Sequence, residues 1–188
     1  MQRSGQIRII GGQWKSRRMR CAGVVGLRPS PDAARETLFN WLPHDLRHKT
    51  CLDLFAGSGA LGFEAASRGA PKVVMVESHP GALDLLRANR AQLRAEDAVE
   101  IFAGPVEKFV RRHPPAGGGF DILFMDPPFG SGVIGTTCEN LQGRGFLNAD
   151  ALVYIESPRA DCPLPIPPAW HIIRESRCGM VQSTLIQT

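Results

Sequence analysis

The feature that most constrains the fold of this 188-residue chain is a regular alternation of short apolar segments with helical ones. Strands are predicted at residues 50–56, 72–78, 99–103, 120–126 and 151–157, and helices at 31–42, 60–69, 80–95, 106–112 and 133–142. Two further strands, 170–176 and 180–188, are predicted to form a closing antiparallel pair. The pattern predicts an α/β fold with a doubly wound, mostly parallel, seven-stranded sheet of the Rossmann-like kind. Such sheets bind ligands beyond the carboxyl ends of their strands, where the strand order reverses.

Basic side chains are concentrated before the first of these sheet strands. Residues 1–31 contain seven Lys or Arg side chains and no Asp or Glu, whereas the rest of the chain contains 15 basic and 18 acidic side chains. The stretch QIRIIGGQWKSRRMR predicts a β-hairpin with its Gly-Gly pair in the turn and with four apolar residues on one face, Ile7, Ile9, Trp14 and Met19. We therefore expect two parts, a basic hairpin arm over residues 1–28 and an α/β domain over residues 29–188.

A basic arm on a slightly acidic body predicts a polyanionic partner that is bound through the arm. The alternative is a solvated tail, but the arm is not of low complexity. We assign the contact to six basic residues, Arg8, Lys15, Arg17, Arg18, Arg20 and Arg28.

Composition argues against several other classes of protein. The five cysteines form no CxxC pair, so neither a disulfide framework nor a zinc knuckle is predicted. His44 and His48 lie four residues apart without a third ligand nearby, and we expect solvated side chains and no metal site. No apolar run approaches the roughly 20 residues of a membrane span, and the N-terminal residues show no signal-peptide core. We expect a cytoplasmic monomer.

A glycine-rich loop follows the first predicted strand of the sheet. In CLDLFAGSGALG, Gly57, Gly59 and Gly62 match G-x-G-x-x-G where the strand is followed by a helix. Asp53 lies near the end of that strand, and Glu77 closes the next one, where an acid commonly binds the ribose hydroxyls of a nucleotide. The motif leaves NAD and S-adenosylmethionine open as cofactors. The carboxylate of Asp53 suits the ammonium group of S-adenosylmethionine, and D-L-F-A-G-S-G resembles the first motif of class I methyltransferases.

The stretch DILFMDPPF ends another predicted strand with an acid, two prolines and an aromatic ring. Asp126-Pro127-Pro128-Phe129 resembles the (D/N)-P-P-(Y/F/W) motif of methyltransferases that modify exocyclic amines. The amino group of a nucleobase is a weak nucleophile because its lone pair is delocalised into the ring. The Asp126 carboxylate and the Pro127 carbonyl can each accept a hydrogen bond from one N–H group of the amine. These hydrogen bonds favour the tetrahedral geometry at nitrogen that attack on the methyl group requires. The prolines stiffen the turn, and Phe129 can stack on a base that has left its helix. The alternative is a structural turn with Phe129 in the core.

Five stretches together resemble the RsmD family of 16S rRNA (guanine-N2)-methyltransferases over nearly the whole chain: GQIRIIGGQWKSRRM, LRPSPDAARETLFNWL, CLDLFAGSGALGFEAASRGA, DILFMDPPF and ALVYIES. The N-terminal stretches are the specific part, because the glycine loop and DPPF occur in many amine methyltransferases. The resemblance implies a class I methyltransferase sheet and S-adenosylmethionine as methyl donor. It also implies that the acceptor is a guanosine N2 of 16S rRNA within assembled small-subunit particles. Residue chemistry alone does not distinguish guanine from adenine.

The cofactor residues on this interpretation are Asp53, Phe55, Ala56, Gly57, Ser58, Gly59, Glu77, Ser78 and Gly104. One departure from the class I pattern lies after the third strand, where many members carry an Asp or Asn that bonds the adenine amino group. Here Gly104 and Pro105 occupy that position. The backbone around Ala103 and Gly104, or the side chain of Glu107, is the candidate replacement.

Two other functions remain open at the level of sequence. The first is an amine methyltransferase that acts on DNA or on another RNA, and the basic arm does not separate it from an rRNA enzyme. The second is an RNA-binding module that has lost its activity, and the intact DPPF and glycine motifs count against it.

Overall fold

The computed structural model describes residues 5–21, 32–112 and 118–188, and within these ranges the chain forms nine strands and five α-helices. The strands are β1 (Gly5–Arg8), β2 (Arg18–Cys21), β3 (Thr50–Asp53), β4 (Lys72–Glu77), β5 (Val99–Ala103), β6 (Phe120–Met125), β7 (Leu147–Pro158), β8 (His171–Cys178) and β9 (Val181–Gln187). The helices are α1 (Asp32–Trp41), α2 (Ala60–Ser67), α3 (Pro80–Leu93), α4 (Val106–Val110) and α5 (Ile134–Gly143). Every predicted strand and helix is present.

Strands β3 to β9 form one sheet in the order β5-β4-β3-β6-β7-β9-β8. Strands β3 to β7 run parallel, and β9 pairs antiparallel with both β7 and β8. The predicted doubly wound, mostly parallel sheet is therefore confirmed. The chain moves from β3 to β4 and β5 and then returns to the other side of β3 with β6, so the strand order reverses between β3 and β6. A ligand crevice is expected at that reversal.

Two hydrophobic cores lie on opposite faces of this sheet. Val73 and Met75 of β4 belong to the core that α1, α2 and α3 cover, whereas Val74 and Val76 belong to the core that α4 and α5 cover. Successive side chains of a strand point to opposite faces, so both faces of β4 are buried. Burial on both faces explains why the sequence shows continuous apolar runs here instead of an alternating pattern.

The predicted N-terminal hairpin is confirmed, and it packs onto the first of these cores. β1 and β2 pair antiparallel, with Arg8 opposite Arg18. The apolar residues predicted to share one face are all buried: Ile7, Ile9, Trp14 and Met19. The connection between the strands passes close to the end of α2, and a Cβ at Gly12 would lie 1.8 Å from the carbonyl oxygen of Ser67. The hairpin is therefore part of the packed body.

Some boundaries differ from the predictions. β7 begins at Leu147, before the predicted start at residue 151, because Leu147 pairs with Phe120 of β6. α4 ends at Val110, before the predicted end at residue 112. The proposed division between arm and domain at residue 28 lies outside the described residues and stays a prediction.

Within the described residues, no helix combines the length and apolar character that crossing a bilayer requires. All five cysteines are free thiols. The same part of the chain contains no group of three His, Cys, Asp or Glu side chains placed to hold a metal ion.

Candidate active site

The glycine loop joins the carboxyl end of β3 to the N-terminus of α2. Gly57 and Gly59 have φ values of 52° and 81°, a region that side chains disfavour. A Cβ at Gly59 would lie 2.5 Å from the ring of Phe63, and one at Gly62 would lie 2.4 Å from Met75 Cε. The first two glycines therefore form the turn, and the third allows α2 to pack closely on β4. This is the strand-to-helix junction that the motif predicted.

Acidic side chains at the ends of two adjacent strands hold this loop. Glu77 at the end of β4 accepts a hydrogen bond from Gly57 N through Oε2 at 2.8 Å. Asp53 at the end of β3 accepts one from Gly62 N at 3.1 Å. The loop is therefore shaped by the protein before any ligand binds, which favours binding because less conformational freedom is lost on association.

Glu77 has more partners than the sequence predicted. Its Oε1 accepts hydrogen bonds from Ser78 N and His79 N, both at 2.7 Å. A carboxylate offers about four acceptor positions, so most of them already serve the backbone. The predicted contact with ribose hydroxyls stays a prediction, and the structure adds a role in shaping the glycine loop.

Burial raises the pKa of Asp53 to about 7, and the charge of Glu77 adds to the rise. The backbone N–H groups of Gly62 and Phe55 oppose the shift without cancelling it. An adjacent cation favours the ionised form of such a carboxyl group. The predicted contact of Asp53 with the ammonium group of S-adenosylmethionine stays a prediction.

The remaining predicted cofactor residues lie along the same edge. Phe55, Ala56 and Ser58 form the loop after β3, Ser78 follows β4, and Gly104 follows β5. The Gly104 N–H donates to the Glu77 carbonyl at 2.8 Å, so this donor serves the sheet and is not free for adenine.

Asp126 directly follows β6, the strand that pairs with β3 at the reversal of strand order. Met125 lies opposite Ile155 of β7, and this register places Asp126 beside Glu156. Burial raises the pKa of Asp126 well above its ordinary value, and the charges of Glu156 and Asp53 raise it further. Three carboxyl groups from β3, β6 and β7 thus meet where the acceptor amine is predicted to bind.

Phe129 lies at the surface, with 57% of its area exposed. The alternative interpretation, in which this ring fills the core, is therefore wrong. The ring borders a pocket of about 140 Å³ that Pro127, Ile134 and Glu156 also line. An exposed ring beside a pocket is compatible with stacking on a nucleobase.

Sequence reasoning missed Glu156 as a site residue. It is buried at the end of β7, and its Oε1 accepts a hydrogen bond from the Tyr154 hydroxyl at 2.7 Å. The available signal was an acid at the end of an apolar strand, as for Asp53 and Glu77. The stretch ALVYIES carries that signal at Glu156, but the sequence does not show which side chains of the neighbouring strands lie beside it.

The basic residues predicted to bind RNA lie on the outer side of the hairpin. Those within the described residues are all exposed: Arg8, Lys15, Arg17, Arg18 and Arg20. Met19 and Cys21 alternate with them and point inward. Arg28 lies outside the described residues.

Comparison with known proteins agrees with this geometry. A family model described as "Conserved hypothetical protein 95" matches residues 7–187. "Ribosomal RNA small subunit methyltransferase D" of Escherichia coli K12 is 40% identical over 184 residues, which cover 98% of this chain and 91% of the relative. The chain belongs to the RsmD family. The RsmD relative of Haemophilus influenzae is 37% identical over 188 residues, covering 97% of this chain and 94% of the relative.

Solved structures extend the RsmD resemblance to three dimensions. A structure described as a methyltransferase from Escherichia coli superposes with a TM-score of 0.86 at 38% identity, covering 97% of this chain and 98% of that chain. The predicted family and the class I methyltransferase fold are both confirmed.

Replacing Glu77 by alanine is expected to weaken S-adenosylmethionine binding by about 1–3 kcal/mol. The glycine loop loses a charged acceptor, and the ribose loses its proposed partner. Titration calorimetry measures the change, and Glu100→Ala, an exposed acid on β5, is the control. Unchanged affinity in a folded Glu77→Ala protein would remove Glu77 from the cofactor site.

Proposed function

We propose that this chain transfers the methyl group of S-adenosylmethionine to the exocyclic N2 amine of a guanosine in small-subunit (16S) rRNA. The observation that carries the proposal is the position of Asp126-Pro127-Pro128-Phe129 beside the glycine loop, at the reversal of strand order. The names of the relatives, ribosomal RNA small subunit methyltransferase D, support rRNA as the acceptor. We also propose that the substrate is the assembled particle and that the enzyme is a cytoplasmic monomer.

The chain contributes position and hydrogen bonding to this reaction. When bound, S-adenosylmethionine supplies an electrophilic methyl group. The carboxylate of Asp126 and the carbonyl of Pro127 each accept a hydrogen bond from one N–H group of the amine. These two hydrogen bonds draw the nitrogen lone pair out of conjugation with the ring. Phe129 stacks on the base, and the prolines restrict the turn that carries these groups.

The hairpin supplies the electrostatic part of RNA binding. Arg8 and Arg18 lie directly opposite each other on the exposed side of β1 and β2. Like charges at such positions destabilise a strand pair, and Asp32 offsets this only in part, at 3.6 Å from Arg8. A phosphate backbone would convert the repulsion into two attractive contacts.

The function is tested by deleting the gene and mapping base methylation across small-subunit rRNA, the other RNAs and the DNA of the cell. We expect one N2-methylguanosine to disappear, to return with the wild-type gene, and to return to a much lower level with Asp126→Ala. Loss of a methyl group from DNA or another RNA would assign a different acceptor. An unchanged methylation pattern would support the inactive binding module.

Removing positive charge from the hairpin is expected to make RNA binding less sensitive to salt. Each lost phosphate contact reduces the magnitude of the slope of log K against log salt by about 0.7 to 0.9. A triple variant is therefore expected to have a slope smaller in magnitude by about two to three. The variant is Lys15→Gln, Arg18→Gln and Arg20→Gln, with affinity for small-subunit particles measured between low and moderate salt.

A charge-matched control removes three exposed basic side chains near the ends of α4 and α5, on the opposite face: Lys108, Arg111 and Arg144. Substitution is preferable to deletion of residues 1–20, because deletion also removes buried core residues such as Ile7 and Met19. Equal slopes for the hairpin variant and the wild type would show that the hairpin is not the RNA contact.

A further inference from the structure

One buried side chain connects the basic hairpin to the glycine loop. Asn89 of α3 has no exposed surface. Its Oδ1 accepts a hydrogen bond from Arg20 N at 3.0 Å, and its Nδ2 donates to the Arg20 carbonyl at 2.9 Å. The same Nδ2 donates to the Ser58 carbonyl at 3.3 Å. Arg20 belongs to β2, and Ser58 lies between the two glycines of the turn.

The contacts of Asn89 determine the orientation of its amide. An amide nitrogen has two N–H donors, and here both face backbone carbonyls. Rotation of the amide by half a turn would place its oxygen against those carbonyls and its donors against the Arg20 N–H. On its other edge β2 pairs with β1, so Asn89 serves β2 as a short neighbouring strand would.

We propose that Asn89 is a positioning residue that couples RNA binding at the hairpin to cofactor binding at the glycine loop. The inference rests on the proposed function. RNA phosphates bound by the hairpin restrain β2, the backbone of β2 restrains the Asn89 amide, and the amide restrains the Ser58 carbonyl. Each ligand therefore favours the other, and by linkage the two affinities change by the same factor.

Gln92, one turn further along α3, provides a matched comparison. Its side-chain Nε2 donates to the Arg18 carbonyl at 2.8 Å. Its backbone carbonyl accepts a hydrogen bond from the Arg17 guanidinium at 3.0 Å, and Gln92→Ala keeps that second contact. Both contacts are to the hairpin, so Gln92 supports the same edge of β2 as Asn89. Gln92→Ala thus removes a contact that supports the hairpin and leaves the link between Asn89 and the glycine loop in place.

The experiment measures the affinity for S-adenosylhomocysteine, which does not support turnover, with and without unmethylated small-subunit particles. Wild-type protein bound to particles is expected to bind this probe at least about fivefold more tightly than free protein, the lower end of typical coupling between sites. Gln92→Ala is expected to keep that ratio. Asn89→Ala and Asn89→Asp are expected to reduce it to about one, since neither side chain donates to Ser58.

Hydrogen exchange of the wild-type loop gives a readout that needs no variant. Particles added without cofactor are expected to slow exchange of the amides in residues 57–62. A folded Asn89 variant that keeps the wild-type ratio would overturn the coupling. If neither Asn89 variant folds, unchanged exchange in the wild type overturns it. Failure of the wild type to bind particles would overturn the proposed function as well, whereas binding with a ratio of one overturns the coupling alone.

Discussion

Replacing Asp126 by alanine is expected to slow single-turnover methyl transfer to small-subunit particles by about 100- to 1,000-fold, with S-adenosylmethionine affinity close to that of the wild type. The amine would then be held only by the Pro127 carbonyl, and losing one positioned group commonly costs about 2.7–4 kcal/mol of barrier. Asp126→Asn is expected to retain more activity, because an amide oxygen still accepts a hydrogen bond. If Asp126 were a general base, asparagine would be nearly as damaging as alanine, since neither takes a proton.

The raised pKa of Asp126 adds a pH dependence to this prediction. Burial, with the charges of Glu156 and Asp53, favours the protonated carboxyl group, which carries no charge and accepts a hydrogen bond from the amine more weakly than the carboxylate does. The single-turnover rate is therefore expected to fall as the pH falls through this raised pKa, well above the ordinary Asp range. Asp126→Asn should lack that inflection because an amide does not titrate. Transfer by Asp126→Ala at the wild-type rate would show that DPPF is only a structural turn.

The second large effect is expected for stability and concerns Glu64. This fully buried carboxylate accepts hydrogen bonds from Ile10 N at 2.7 Å and Gly11 N at 2.8 Å, and it pairs with Arg68 Nε at 2.8 Å. Glu64→Ala leaves two backbone donors and a cation without their acceptor. Breaking a buried ion pair by removing one partner typically costs about 3–5 kcal/mol. For a chain of this size the expected decrease in Tm is on the order of 10 °C.

Chemical denaturation and thermal unfolding both measure this change. Glu139→Ala, which removes an exposed acid from α5, is the control and is expected to lie within about 0.5 kcal/mol of the wild type. The stability of Glu64→Gln is expected to lie between that of Glu64→Ala and that of the wild type. Its amide oxygen still accepts a hydrogen bond from one N–H group, whereas its amide nitrogen faces another donor. A Glu64→Ala protein with nearly wild-type stability would show that this carboxylate does not hold the hairpin to the body.

Local patterns predicted most of the fold. The apolar runs of β4 and β5 follow from periodicity, as does the helical segment between them with Leu83, Leu86 and Leu93 in one stripe, and those leucines are buried. The glycine loop was predictable for a similar reason, because the positive φ values at Gly57 and Gly59 are a property of the turn itself. The position of DPPF after a strand that neighbours β3 was also predictable and is confirmed, whereas its catalytic role stays a prediction.

The residues themselves thus determined the α/β alternation, the hairpin, the glycine turn and the acid at the end of β6, because each of these depends on neighbours in the chain. Tertiary structure alone decided which buried polar groups join them. Glu64 meets Ile10 across 54 positions, and Asn89 meets Arg20 across 69. Glu156 lies beside Asp126 only because β7 pairs with β6. In the sequence, a buried Glu or Asn of a helix cannot be distinguished from a solvated one. Its burial and its hydrogen-bond partner are set by how the elements pack, which the pattern of residue types along the chain does not contain.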